Sequence, residues 1–92
     1  MPRIEVPVRH KVGLHARPAA LFVKQAAKFP CAISVRNVSG ADKRVSAKSI
    51  LGVLSLGVQQ GHVLEIEAEG DQALEAVQAL EKLIADNFGE VG

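Results

Sequence analysis

Residues 64–69 read Leu-Glu-Ile-Glu-Ala-Glu, a strict alternation of apolar and acidic side chains. Successive side chains of a β-strand point to opposite faces, so this period of two describes a strand with one apolar face and one charged face. A sheet built around it needs an apolar cover on one side and can meet water on the other, with Leu64, Ile66 and Ala68 inward and Glu65, Glu67 and Glu69 outward. Ile4, Val6 and Val8 alternate in the same way with Glu5 and Pro7. Pro7 has no N–H to give to a ladder, which places that strand at a sheet edge. Residues 31–38 form a third alternating run, with Ile33 and Val35 on one face. The Ser-Gly-Ala-Asp within 37–43 is a turn signal, and a short strand over 44–46 completes a hairpin.

The cover comes from segments of period 3.6. Ala19, Phe22, Val23, Ala26 and Ala27 fall on one side of a predicted helix over about 16–28, closed by Pro30. Ser49 is placed to cap a short helix carrying Ile50, Leu51, Val53 and Leu54, with Gly57 as its stop. Asp71 is a suitable cap for a last helix, whose apolar stripe is Leu74, Val77, Leu80 and Ile84, joined by Leu83. The order is βαββαβα. Half-buried strands and amphipathic helices imply an α+β arrangement of two layers, a sheet with helices on one face. Periodicity does not say which strands run parallel. Ninety-two residues suit one domain over 1–88, leaving 89–92 as a flexible tail. A chain of this size buries roughly 60–65% of its surface, which its apolar content allows without covalent staples.

Composition removes several function classes. The net charge is +1, with no Trp, no Tyr and three Phe. A nucleic-acid binder needs a basic surface and usually aromatic platforms, so that class is not expected. No window approaches the roughly 18 apolar residues of a membrane span. The opening MPRIEVPVRH has no apolar run and does not read as a signal peptide. Cys31 is the single cysteine, so no intramolecular disulfide forms, and a lone thiol suits a cytoplasmic location. Cys31 reads as a small, partly buried strand residue, and His10 and His62 as ordinary loop residues. Scattered histidines and one cysteine make no metal motif, and no cofactor is expected.

The stretch VGLHARPAAL, residues 12–21, carries the chemistry. Proline is tolerated in the first turn of a helix, so Pro18 sets a helix start immediately after His15. A helix N-terminus offers unpaired backbone N–H groups and partial positive charge, a ready place for phosphate. Ala16 and Arg17 would supply a backbone N–H and a guanidinium fork to such an anion. A neutral imidazole is a nucleophile able to form a covalent intermediate. The helix dipole and Arg17 disfavour the imidazolium, which keeps a lone pair available. With no second acid or base close by, the pattern suits a carrier of phosphate better than a hydrolase. The same residues also suit a plain surface loop followed by a solvated arginine, and a single His-x-Arg does not separate these readings.

GLHARPAALFVKQAAKF closely resembles the active-site segment of the HPr family, the histidine-containing phosphocarriers of the bacterial phosphoenolpyruvate-dependent sugar phosphotransferase system. KSILGVLSLGVQQG resembles that family's second diagnostic segment, in the family's order and at nearly its spacing. The resemblance covers essentially the whole chain. It implies an open-faced β-sandwich, a four-stranded antiparallel sheet covered on one face by three helices. It further implies that His15 takes phosphate on Nδ1 from phosphorylated enzyme I and passes it to the IIA components of sugar permeases, with Arg17 assisting. On this reading the protein is a stoichiometric, monomeric carrier and not an enzyme with its own turnover. Position 12 is Val where many relatives have Ser, Thr or Asn, so side-chain help from that position is lost. The hairpin NVSGADKR is also a few residues longer than in familiar relatives.

Ser49 matches a serine that an ATP-dependent kinase phosphorylates in Gram-positive relatives, which admits a serine kinase/phosphorylase and a transcriptional regulator as further partners. A plain N-cap explains the same serine equally well. Ile50, Leu51 and Leu54 are candidates for a docking patch, with core packing as the alternative and Val53 assigned to the core. Arg17, Lys24 and Lys28 recur near one face of the first helix, either as a basic rim for an acidic partner or as a solvated face. The alternative function is a regulatory binding module of the same fold, or a nitrogen-type phosphotransferase branch.

Overall fold

Every element expected from periodicity forms in the computed structural model, which describes residues 2–9, 16–40 and 43–89. In chain order these are β1 (Arg3–Pro7), α1 (Ala16–Ala26), β2 (Ala32–Asn37), β3 (Arg44–Ser46), α2 (Ile50–Leu54), β4 (Val63–Glu69) and α3 (Ala73–Ala85), followed by a 3-10 turn at Asn87–Gly89. The strands make one sheet in the order β1-β4-β2-β3, with every neighbouring pair antiparallel. β1 is an edge strand, as Pro7 requires, and pairs Val6 with Leu64 and Ile4 with Ile66. Val6, Ile33, Val35, Leu64, Ile66 and Ala68 point to one face, where Phe22 and Ala26 of α1, Val53 of α2 and Val77, Leu80 and Ile84 of α3 close over them. This is the open-faced, four-stranded arrangement with three helices on one side.

Three details depart from the sequence reading. α1 ends at Ala26, two residues before Lys28, although the N–H of Ala27 still reaches the carbonyl of Val23. Asp71 does not cap α3: the chain enters that helix through Gln72, which is left-handed at φ 63° and gives no side-chain cap. Leu74 lies outside the stripe and is 55% exposed, while Ala73 and Ala76 take the inward positions beside Val77, Leu80 and Ile84. Position 74 falls on the line of Gln78 and Glu81, both exposed. Residue size drew the stripe to leucine, whereas small alanines let the helix approach the sheet.

The uncovered face of the sheet holds a fourth departure. Glu65 points away from the helices as expected, yet it is buried. Arg36 on β2 and Arg44 on β3 fold over it, with Nη2 of Arg36 3.1 Å from Oε2 and Nη2 of Arg44 2.7 Å from Oε1. Arg44 also donates to the Ser34 hydroxyl at 3.1 Å. The hydrogen bonds from Arg36, then those from Arg44, hold the Glu65 carboxyl below the ordinary glutamate value of 4.5 against an opposing effect of burial. Glu65 is only one side chain deep, because both guanidinium groups are themselves in contact with water. Screening there is nearer to that of the surface than of the interior.

A carboxyl whose folded value lies below its unfolded value adds stability above the unfolded value. That contribution disappears as pH falls through the lower, folded value. Glu65→Gln should therefore flatten the acid limb of the stability curve, seen as a smaller difference between urea midpoints at neutral pH and below pH 4.5. At neutral pH the variant should lose about 1–2 kcal/mol, allowing for the partial exposure of both arginines. An unchanged acid limb would show that the arginines do not act through this carboxylate.

Candidate functional site

The described chain resumes at Ala16, the first residue of α1, so the helix begins one residue after His15 in the sequence. His15, Val12 and His10 lie outside the described residues. Arg17 and Pro18 occupy the first turn, where helical N–H groups have no intrahelical partner and the missing N–H of proline costs nothing. Pro18 is buried and Arg17 is exposed. No acidic side chain lies in the first turn of α1, so its partial positive charge is not offset from within the turn.

Helical spacing separates the two faces of α1. Ala19, Phe22 and Ala26 are fully buried. Arg17 and Lys24 are exposed along the opposite side, and Lys28 is exposed in the turn just beyond the helix. α2 packs against α1, and Lys48, just before it, donates from Nζ to the carbonyl of Phe29 at 2.7 Å. Ser49 caps α2: its hydroxyl accepts the N–H of Gly52 at 3.1 Å while the residue stays exposed. The sequence had left α2's apolar residues between core and surface. Val53 is fully buried, whereas Leu51 is 77% exposed and Ile50 and Leu54 are each 38% exposed. A five-residue helix turns one side to the sheet and cannot hide the rest. The helical layer thus carries a basic stripe on α1 and an apolar cluster on the helix packed against it.

Two histidine and cysteine assignments change. Cys31 precedes β2 and is buried outright, with its Cβ 3.4 Å from where a side chain on Gly70 would stand. His62 is no ordinary loop residue: its Nδ1 is 3.1 Å from Nδ2 of Asn37 and 3.2 Å from the N–H of Gln59. Asn37 had a legible signal, because it continues the inward phase of Ile33 and Val35 and is fully buried. His62 had none, since its partner lies 25 residues away. Among the described residues, no group of three or more His, Cys, Asp or Glu could hold a metal ion, and no helix is long and apolar enough to cross a membrane. The expected tail lies in part outside the described residues, from position 90 onward, and Gly89 belongs to the 3-10 turn.

Comparison with known proteins yields one family. The model of the PTS HPr component phosphorylation site matches residues 2–86. The chain is 42% identical over 91 residues to the phosphocarrier protein HPr of Pseudomonas aeruginosa, covering 98% of each. It is 43% identical over 83 residues to the multiphosphoryl transfer protein of Haemophilus influenzae, covering 90% of this chain and spanning only 17% of that protein's length. Among solved structures, HPr-C-His from Thermoanaerobacter tengcongensis superposes with a TM-score of 0.93 at 49% identity, over 100% of both chains.

Proposed function

The chain belongs to the HPr family of phosphotransferase-system phosphocarriers, and from that premise we propose that it accepts a phosphoryl group on His15 from enzyme I and donates it to IIA components of sugar permeases. The observation that carries this reading is the start of α1 at Ala16, directly after His15, with Arg17 exposed in the first turn. In the step itself the bond between phosphorus and its enzyme I carrier atom breaks as the lone pair on Nδ1 of His15 forms a new N–P bond. The reverse polarity hands the group to the IIA acceptor. Phosphoryl transfer spreads charge over the three non-bridging oxygens, so catalysis is mostly positioning and electrostatics. The N-terminal turn of α1 and the guanidinium of Arg17 supply both without a metal of the carrier's own.

Partner choice is assigned to the helical layer. Ile50, Leu51 and Leu54 offer apolar contact, and Arg17, Lys24 and Lys28 favour an acidic partner and speed its approach. A phosphate on Ser49 would sit at the start of α2, where the helix tolerates negative charge, and would burden docking instead by its desolvation beside the apolar cluster. The carrier is assigned to the cytoplasm and to work as a monomer.

Incubation with enzyme I and phosphoenolpyruvate tests the reading. Intact mass should rise by one phosphoryl group and fall back on mild acid treatment. A protein that stays unmodified, or whose phosphate survives acid, is not a phosphohistidine carrier. Arg17→Ala should slow the same exchange while changing stability by no more than about 0.5 kcal/mol, the usual range for an exposed side chain. Normal exchange together with a large drop in melting temperature would give Arg17 a structural role instead.

A further inference from the structure

The six residues 10–15 join Arg9 to the first turn of α1, and the hydrogen bonds around Arg9 lead to His62. The N–H of Val8 donates to the carbonyl of His62 at 2.8 Å, and the N–H of Gly61 donates back to the carbonyl of Val8 at 2.8 Å. Nε2 of Gln60 reaches the carbonyl of Arg9 at 3.4 Å. The backbone that leads into the His15 segment is therefore held by the turn of residues 59–62. That turn is closed by the N–H of His62 on the carbonyl of Gln59 at 3.0 Å, with Gly61 at φ 89°.

The imidazole ties this turn to the core in addition to its backbone hydrogen bonds. The amide of buried Asn37 has one possible orientation, because its Oδ1 accepts the N–H of Ser39 at 3.0 Å and its Nδ2 donates to the carbonyl of Leu56 at 3.2 Å. Both of those backbone groups have fixed polarity. The second proton of Nδ2 then points at Nδ1 of His62, 3.1 Å away, and the N–H of Gln59 points at the same nitrogen from 3.2 Å. A nitrogen receiving two donors carries no proton of its own, so the neutral ring has its hydrogen on Nε2. Gly40 leaves room for this arrangement, since a Cβ there would stand 2.7 Å from Nδ2 of Asn37.

We propose that His62 is a positioning residue for phosphoryl transfer: its Nδ1 locks the 59–62 turn to Asn37, and the turn in turn holds Val8 and Arg9, from which the His15 segment departs. This rests on the proposed function of His15. The acceptor is what matters, not the ring. In asparagine the Oδ1 occupies nearly the place of Nδ1 in histidine, so His62→Asn keeps the acceptor and His62→Leu removes it.

Three measurements on the full chain decide the matter. In the wild-type protein, nitrogen chemical shifts of His62 should report the Nε2–H tautomer, and the opposite tautomer overturns the proposal before any variant is made. In His62→Leu, amide exchange at Gln59, Gly61 and Val8 should quicken by about fivefold to tenfold, the effect of one lost hydrogen bond, and by more than any change at the core amides of Ile33 and Ile66. The rate of phosphoryl uptake at saturating carrier should fall by a similar factor, with the half-saturating carrier concentration unchanged, and His62→Asn should restore the exchange rates and the uptake rate. His62→Leu that transfers at the wild-type rate, or His62→Asn that behaves like His62→Leu, overturns the positioning role alone. Wild-type protein that takes up no phosphate removes the proposed function, and the positioning role with it.

Discussion

Phosphoryl uptake is expected to vanish in His15→Ala, by at least about a thousandfold, the scale on which removing an attacking group acts. Alanine has no lone pair to receive phosphorus, and the surrounding positive charge binds an anion without bonding to it. The remaining histidines do not replace it equally. Nδ1 of His62 is already engaged by Asn37 and Gln59, so its lone pair is not free to attack. Intact mass after incubation with enzyme I and phosphoenolpyruvate checks this, with circular dichroism confirming the fold. An acid-labile phosphate persisting in His15→Ala would move the site to another histidine and overturn the reading of residues 12–21. The same variant should still occupy enzyme I as a competitor, because the docking contacts are assigned to α1 and α2. Loss of competition would mean that His15 itself contributes to docking.

Phe22→Ala is expected to cost about 3–5 kcal/mol, the range for truncating a buried phenylalanine. Phe22 is fully buried on the inner face of α1, among the largest buried side chains of the described structure. A domain of this size has roughly 5–15 kcal/mol in total, so one substitution removes a large share of it. The melting temperature should fall by on the order of 15 °C or more. Urea unfolding should show a lower midpoint with an unchanged slope. Transfer should suffer as well, because α1 carries Arg17 and follows His15 directly in the chain. Leu74→Ala is the matched control: at 55% exposure its truncation should stay within about 0.5 kcal/mol. Equal losses at the two positions would contradict the assignment of α3's inward face to Ala73, Ala76 and Val77.

The contrast between Phe22 and Leu74 shows how legibility divides. Which segments are strands and which are helices was readable, because the periods of two and 3.6 are properties of consecutive residues. The start of α1 was readable from Pro18, and the cap of α2 from Ser49. The exposure of Leu51 against the burial of Val53 followed from the narrowness of a five-residue helix on a one-sided sheet. Within α3 the same reasoning slipped, since it weighs side chains by size and the contact face there is made by alanines. At Asp71 it slipped because a left-handed residue at Gln72 intervenes between the acid and the helix.

The sequence alone determined the order βαββαβα, the apolar faces of β1, β2 and β4 and the placing of His15 ahead of a helix with Arg17 in its first turn. Family resemblance then implied the antiparallel sheet that periodicity had left open. Only the tertiary structure decided the neighbours: the order β1-β4-β2-β3, the burial of Glu65 beneath Arg36 and Arg44, and the bond between Asn37 and His62. The physical reason is common to all three. A carboxylate or an amide has no intrinsic preference for burial; its free energy depends on the partners that reach it. Those partners come from strands and turns whose adjacency is set by pairing across the sheet.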